Sequence, residues 1–161
     1  MVLIQRQVLS SSAASVTFSN IPQNFKTLRL VVSARGSVND TASLFCRPNA
    51  QTTNLSSRFL QGNGSTTGSG TTTTARVGSV AGTNVTSSTF GSVEILIPNY
   101  AGSSNKPISS DSVTENNGTA AVHDLTSVLW ANTSAITSLE LAMSDSSSFV
   151  SNSSFSLYGL I

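Results

Sequence analysis

Apolar residues recur at every second position along most of the chain. Between Phe25 and Arg35, one face carries Leu28, Leu30, Val32 and Ala34, and the other carries Thr27, Arg29, Val31, Ser33 and Arg35. A period of two marks a strand with one buried side. The run Ser92–Ile97 repeats the pattern with Val93, Ile95 and Ile97, and Pro98 stops it. The last segment, Ser154–Ile161, places Phe155, Leu157 and Ile161 together. Shorter segments of the same kind span 2–9, 15–19, 42–47, 57–61, 74–80, 107–114, 126–131 and 136–142. Turn chemistry separates them, most clearly at Asn20-Ile-Pro-Gln23, Pro48-Asn49, Gly62-Asn-Gly64, Ala81-Gly-Thr-Asn84, Pro98-Asn-Tyr-Ala-Gly102 and Glu115-Asn-Asn-Gly118. No segment shows a helical stripe with caps. Many short strands at near-regular spacing predict an all-β fold: one antiparallel β-sandwich, jelly-roll-like, spanning residues 1–161 as a single domain.

One stretch breaks the pattern. Gln61-Gly-Asn-Gly-Ser-Thr-Thr-Gly-Ser-Gly-Thr-Thr-Thr-Thr74 is low in complexity and rich in glycine, which predicts a long exposed loop over 62–74. Residues 1–9 read as an edge strand or an arm that touches a partner.

Composition narrows the function. The chain has 161 residues, a net charge of +1, and only 9% charged residues. Its 32 Ser, 19 Thr and 13 Asn supply most of its polarity. Phosphate neutralisation needs a basic excess that +1 does not provide, so nucleic acid is not an expected partner. No run of 18 or more apolar residues exists to span a membrane as a helix. One cysteine, Cys46, makes no disulfide framework, and reads as a small apolar side chain on a strand. The apolar run Val2-Leu-Ile4 is too short for a secretory signal, so synthesis in a cytoplasm is expected. Asn-x-Ser/Thr triplets, among them those beginning at Asn54, Asn63, Asn84, Asn117, Asn132 and Asn152, follow from the composition.

Few residues suggest chemistry. His123 is the only histidine. Its neighbour Asp124 should point to the opposite face of an extended chain, and no Gly-x-Ser-x-Gly elbow is present. Asp111 and Glu115 are the nearest thing to a paired-acid site, but strand geometry separates them by about 13 Å. A cation at Asp111, Glu115, Asn116 and Asn117 would lack the calcium-loop spacing. The glycine-rich stretch lacks the Gly-Lys-Ser/Thr ending of a phosphate loop. No cofactor or metal motif emerges. Tyr100, in a loop, is the best candidate for stacking on a sugar, and Trp130 reads as core or interface.

Several segments together are more specific. They are Ser15-Val-Thr-Phe-Ser-Asn-Ile-Pro22, Leu28-Arg-Leu-Val-Val-Ser-Ala-Arg35, Gly62-Asn-Gly-Ser65, Ser92-Val-Glu-Ile-Leu-Ile-Pro-Asn-Tyr-Ala101 and Ser154-Phe-Ser-Leu-Tyr-Gly159. In this order the set resembles small β-rich virion proteins of tailed bacteriophages, common in phages of marine and cyanobacterial hosts. Where relatives carry a Phe-Asn-Gly turn, this chain has Cys46-Arg-Pro-Asn49, so that turn is expected to be rebuilt. The resemblance implies a non-enzymatic structural protein. The first expectation is a capsid decoration (cement) protein on the head exterior that binds the major capsid protein. The alternative is a tail-fibre or baseplate domain that binds tail proteins or host glycan. A homo-dimer or homo-trimer is expected, because strand edges need covering. The residues expected at a protein interface are Val2, Leu3, Ile4, Gly64, Thr67, Tyr100 and Trp130.

Overall fold

The computed structural model describes residues 1–115 and 121–161. Twelve strands account for the regular structure among them: β1 (Val2–Val8), β2 (Ser15–Phe18), β3 (Thr27–Ala34), β4 (Ala42–Pro48), β5 (Leu55–Gly62), β6 (Thr67–Thr72), β7 (Arg76–Val80), β8 (Gly91–Pro98), β9 (Lys106–Val113), β10 (His123–Trp130), β11 (Leu139–Met143) and β12 (Ser154–Leu160). They form two antiparallel sheets. The larger runs β1-β12-β3-β8-β9-β10-β5-β6, and the smaller runs β2-β11-β4-β7.

The chain crosses between the sheets in a fixed rhythm. β2, β4, β7 and β11 go to the small sheet, while β3, β5–β6 and β10 go to the large one. That wiring is a jelly roll. Two additions widen the large sheet: a β8–β9 hairpin inserted between β3 and β10, and β12 with β1 beyond β3. The expected β-sandwich is therefore what the chain forms.

Alternation sets the core. Leu28, Leu30, Val32 and Ala34 on β3 are buried, as are Val93, Ile95 and Ile97 on β8 and Phe155 and Leu157 on β12. Across the interface lie Val16, Phe18, Leu44, Cys46, Leu139 and Leu141 from the small sheet. Ile161 departs from its expected place with Phe155 and Leu157. It follows the end of β12 and is exposed. At the turn after β4, Asn49 and Ala50 both have positive φ, and the Gln51 amide donates to the Pro48 carbonyl at 2.9 Å. The Asn49 side chain then ties down the approach to β11. Its Oδ1 accepts from the amides of Thr137 and Ser138, and its Nδ2 donates to the Ala135 carbonyl.

The small sheet has two edges, and side chains of the large sheet close both. Gln5 and Gln7 of β1 donate from Nε2 to the backbone carbonyls of Ser19 and Thr17, beside β2, at 2.7 and 2.8 Å. At the other edge, Ser110 and Ser112 of β9 reach β7. Ser110 Oγ donates to the Val77 carbonyl at 2.7 Å, and the Ser79 amide donates to Ser112 Oγ at 3.2 Å. Buried backbone groups need such partners. Gly78, between the two bonded β7 residues, has φ of 139°, and a Cβ there would sit 2.3 Å from Ser112 Oγ. Only glycine lets β7 approach β9 this closely.

The glycine-rich stretch is not the long loop its composition suggests. Thr67–Thr72 pairs with β5 in unbroken antiparallel register, from Gly62 opposite Thr67 to Ser57 opposite Thr72. Asn63 builds the turn: its Oδ1 accepts from the amides of Ser65 and Thr66. The glycines have a packing reason, since a Cβ at Gly70 would fall 2.5 Å from the Phe59 ring. Composition alone read these residues as too small and polar for a strand, but pairing with β5 supplies the backbone bonds that side chains do not.

The Gly78 geometry leads to a specific expectation. Gly78→Ala should destabilise the fold by about 1–3 kcal/mol, combining a strained φ with a clash at Ser112. A fall in the urea midpoint at unchanged slope would register it.

Candidate functional site

The outer face of the large sheet is where the chain displays its unpaired chemistry. Cross-strand register places Val31, Glu94, Asp111, Leu125, Leu60 and Ser69 in one row from β3 to β6. Leu60, Leu125, Leu129, Val113 and Val31 are all exposed. An open groove of about 530 Å³ runs over this end of the sheet between Arg58, Leu60, Thr71, Ser109, Leu125 and Ser127. A second of about 520 Å³ shares Leu60, Ser69 and Leu125 and reaches His123. The lining is mainly leucine and hydroxyl, with Arg58 and Phe59 in the first groove and Gln61 and His123 in the second.

Strand β10 explains how leucines come to lie outside. Its inward positions are Asp124, Thr126, Val128 and Trp130, and its outward ones are His123, Leu125, Ser127 and Leu129. The pattern is inverted at its first half: polar residues are buried and a leucine faces solvent. The buried half meets a polar counterpart. Arg76 of β7 pairs with Asp124 at 3.1 Å, with the two side chains 9% and 0% exposed. Ser79 Oγ accepts from the same guanidinium, Ser43 Oγ accepts from Nε, and Ser112 Oγ donates to Asp124 Oδ2. The Arg76 guanidinium also lies over the Phe59 ring at 4.0 Å, a cation–π contact. The satisfaction is incomplete, because Arg76 Nη1, Ser57 Oγ and Thr126 Oγ1 are buried without a hydrogen-bond partner.

His123 and Asp124 do point to opposite faces. His123 meets Asp111 across the strand pair at 2.8 Å, both more than half exposed. Ser112 and Asp124 lie on the inner face, so serine, histidine and buried acid are split by the sheet itself. Asp111 borders a depression with Glu94 and Leu96, whereas Glu115 borders a different one with Asn63, Gly64 and His123. Asn116 and Asn117 lie outside the described residues. Among the described residues no three histidine, cysteine or acidic side chains cluster as metal ligands.

The other ion pairs are peripheral. Arg29 and Glu94 meet at 2.8 Å on the outer face, and Arg47 and Glu140 at 3.3 Å on the small sheet. Both are partly exposed, and solvent-screened pairs contribute roughly 0–1 kcal/mol. Arg58 has no ion-pair or hydrogen-bond partner among the described residues.

The residues expected at an interface separate into two groups. Val2 and Leu3 are exposed on edge strand β1, while Ile4 is partly buried against the core. Gly64 sits in the β5–β6 turn with φ of 85°, and Thr67 opens β6. Tyr100 and Trp130 are corrections. Tyr100 is 0% exposed and its hydroxyl donates to the Pro22 carbonyl, so its ring cannot stack on a sugar. Burial also raises its phenol pKa. Trp130 is 1% exposed and belongs to the core. Sequence reasoning passed over Arg58, Leu60, Leu125 and Leu129. Strict alternation from an inward Asp124 is the signal that places Leu125 and Leu129 outside.

Comparison with protein-family models, with curated proteins and with solved structures finds no match for this chain.

Two outcomes follow from the buried chemistry. Asp124→Ala should cost about 3–5 kcal/mol by stranding Arg76, whereas pairing Arg76→Met with Asp124→Leu should restore most of it, as read by urea denaturation. Cys46 is fully buried and its thiol is pushed up to about 12 by desolvation. The native protein should therefore leave a thiol reagent unreacted at pH 8, with one equivalent released on unfolding.

Proposed function

We propose that the chain is a non-enzymatic structural protein of a tailed-phage virion, a decoration protein that binds the outside of the head and ties neighbouring capsid subunits together. The observation that carries the reading is the outer face of the large sheet. A wide β-surface with exposed Leu60, Leu125 and Leu129 among serines and threonines is suited to adhesion. The order of segments that resembles phage virion proteins supports it. So, by analogy of fold, does the jelly roll, which serves viral capsids and lectins among other functions.

The mechanism follows from the scarcity of charge. Adhesion rests on apolar contact and hydroxyl or backbone hydrogen bonds, each worth a net 0.5–1.5 kcal/mol or about that. Useful affinity then comes from many copies held side by side on a lattice. The glycan-binding alternative loses its main support with Tyr100 inside the core. The groove offers leucines and hydroxyls, and its one aromatic residue, Phe59, has its ring covered by the Arg76 guanidinium.

The test is cosedimentation of the purified protein with heads that lack it. Binding is expected, and Leu60→Asp with Leu125→Asp should weaken it at least tenfold (about 1.4 kcal/mol) with little change in melting temperature, because both side chains are exposed. Failure of the unmodified protein to bind heads, or immuno-gold label at the tail tip, would overturn the reading.

A further inference from the structure

A sheet edge is a row of unpaired amides and carbonyls, and it takes up a new strand unless something blocks it. This sandwich has four edges, and three are blocked. Gln5 and Gln7 cover the edge at β2, and Ser110 and Ser112 cover the edge at β7. The β1 edge carries Arg6 at mid-strand and a register irregularity between Leu3 and Gln5. Charge and irregular register both discourage pairing.

The β6 edge has none of these devices. Its sequence, Thr67-Gly-Ser-Gly-Thr-Thr72, holds no charge and no proline, and its register with β5 is unbroken. The chain is uncharged from Phe59 to Ala75. The substantial strand contacts of β6 are with β5 alone, and β7 touches β5 only at its margin. The hairpin therefore overhangs the small sheet.

The direction of the free groups follows from the turn. The Asn63 amide donates to the Thr66 carbonyl at 3.1 Å. In an antiparallel pair, bonded and non-bonded positions alternate. The bonded pairs are then Gln61–Gly68, Phe59–Gly70 and Ser57–Thr72. The amides and carbonyls of Thr67, Ser69 and Thr71 face the open edge.

We propose that β6 docks on β6 of a second copy, the two strands running antiparallel about a twofold axis at Ser69. In this register Ser69 lies opposite the partner's Ser69, Thr67 opposite the partner's Thr71, and Gly68 opposite the partner's Gly70. All three outward-facing residues of the strand are paired with outward-facing residues. The hydroxyl side chains meet on the outer face, where Thr and Ser pairs stabilise a ladder, and the glycines meet on the inner face without bulk. No charge meets its like. That self-complementarity is what selects a second copy over β1, where Arg6 and the register irregularity would oppose the added strand. The axis stands perpendicular to the sheet, so both Leu60–Leu125 surfaces face the same way. The pairing does not depend on the virion reading, and a dimer would form equally in a protein that never meets a capsid.

Sedimentation equilibrium and light scattering of the full chain should give a dimer. Ser69→Lys sets like charges opposite one another at the axis, and Ser69→Pro removes an outward amide while sparing every bond to β5. Each should raise the dimer dissociation constant at least tenfold with the circular dichroism spectrum unchanged. Ser69→Cys should form a disulfide-linked dimer on mild oxidation, since bonded antiparallel positions lie about 5.5 Å apart between Cα atoms. Arg6→Cys should not, and buried Cys46 does not compete. A monomer, a trimer, a dimer indifferent to both Ser69→Lys and Ser69→Pro, or cross-linking through Arg6→Cys in place of Ser69→Cys would each overturn the proposal.

Discussion

The backbone groups along the edges of the four-stranded sheet need partners, and the sheet opposite provides them. Leaving such a group buried and unpaired costs about 1–3 kcal/mol. Ser110 and Ser112 meet this need at the buried β7 edge, and Gln5 and Gln7 bond the exposed β2 edge. The two layers are thus held together by directed bonds at their margins as well as by the apolar contact between them. This requirement explains features that look anomalous one at a time: serines pointing inward on β9, a glycine at φ of 139° on β7, and glutamines alternating along an apolar edge strand.

The same constraint shapes the polar seam beside β7. Once Ser112 is committed to the β7 edge, the neighbouring inward position on β10 is Asp124, and Arg76 answers it. A buried pair of this kind adds less to stability than its short distance suggests, because both charges have given up water. Its geometric effect is clearer. Arg76 bridges Asp124 and the Phe59 ring, and Phe59 in turn lies against Gly70. The overhanging hairpin is fastened to the sandwich through that stack.

Polar residues inside β10 leave leucines outside it. Leu125 and Leu129 share the outer face with Leu60, and the proposed adhesive surface is the other side of the internal seam. An outer face with exposed leucines among its few charges, two side-chain-closed edges and one open uncharged edge fit a module that works by lying against neighbours. The chemistry available on that face is contact and hydrogen bonding, with Arg58 beside the groove.

Period-two alternation determined the all-β class, eleven of the strands and the buried faces of β3 and β8, because side-chain direction along a strand is a local property of the pleat. Residue order also placed His123 and Asp124 on opposite faces for the same reason. Pairing between distant strands decided the rest. β6 became a strand because β5 offers it backbone partners, against its own weak propensity. Tyr100 went inside because the loop after β8 folds under the core and Pro22 accepts its hydroxyl. Which row of β10 faces solvent depended on Arg76, 48 positions away in sequence, reaching Asp124. Local pattern tells which residues share a face; only the opposing layer tells which face is dry.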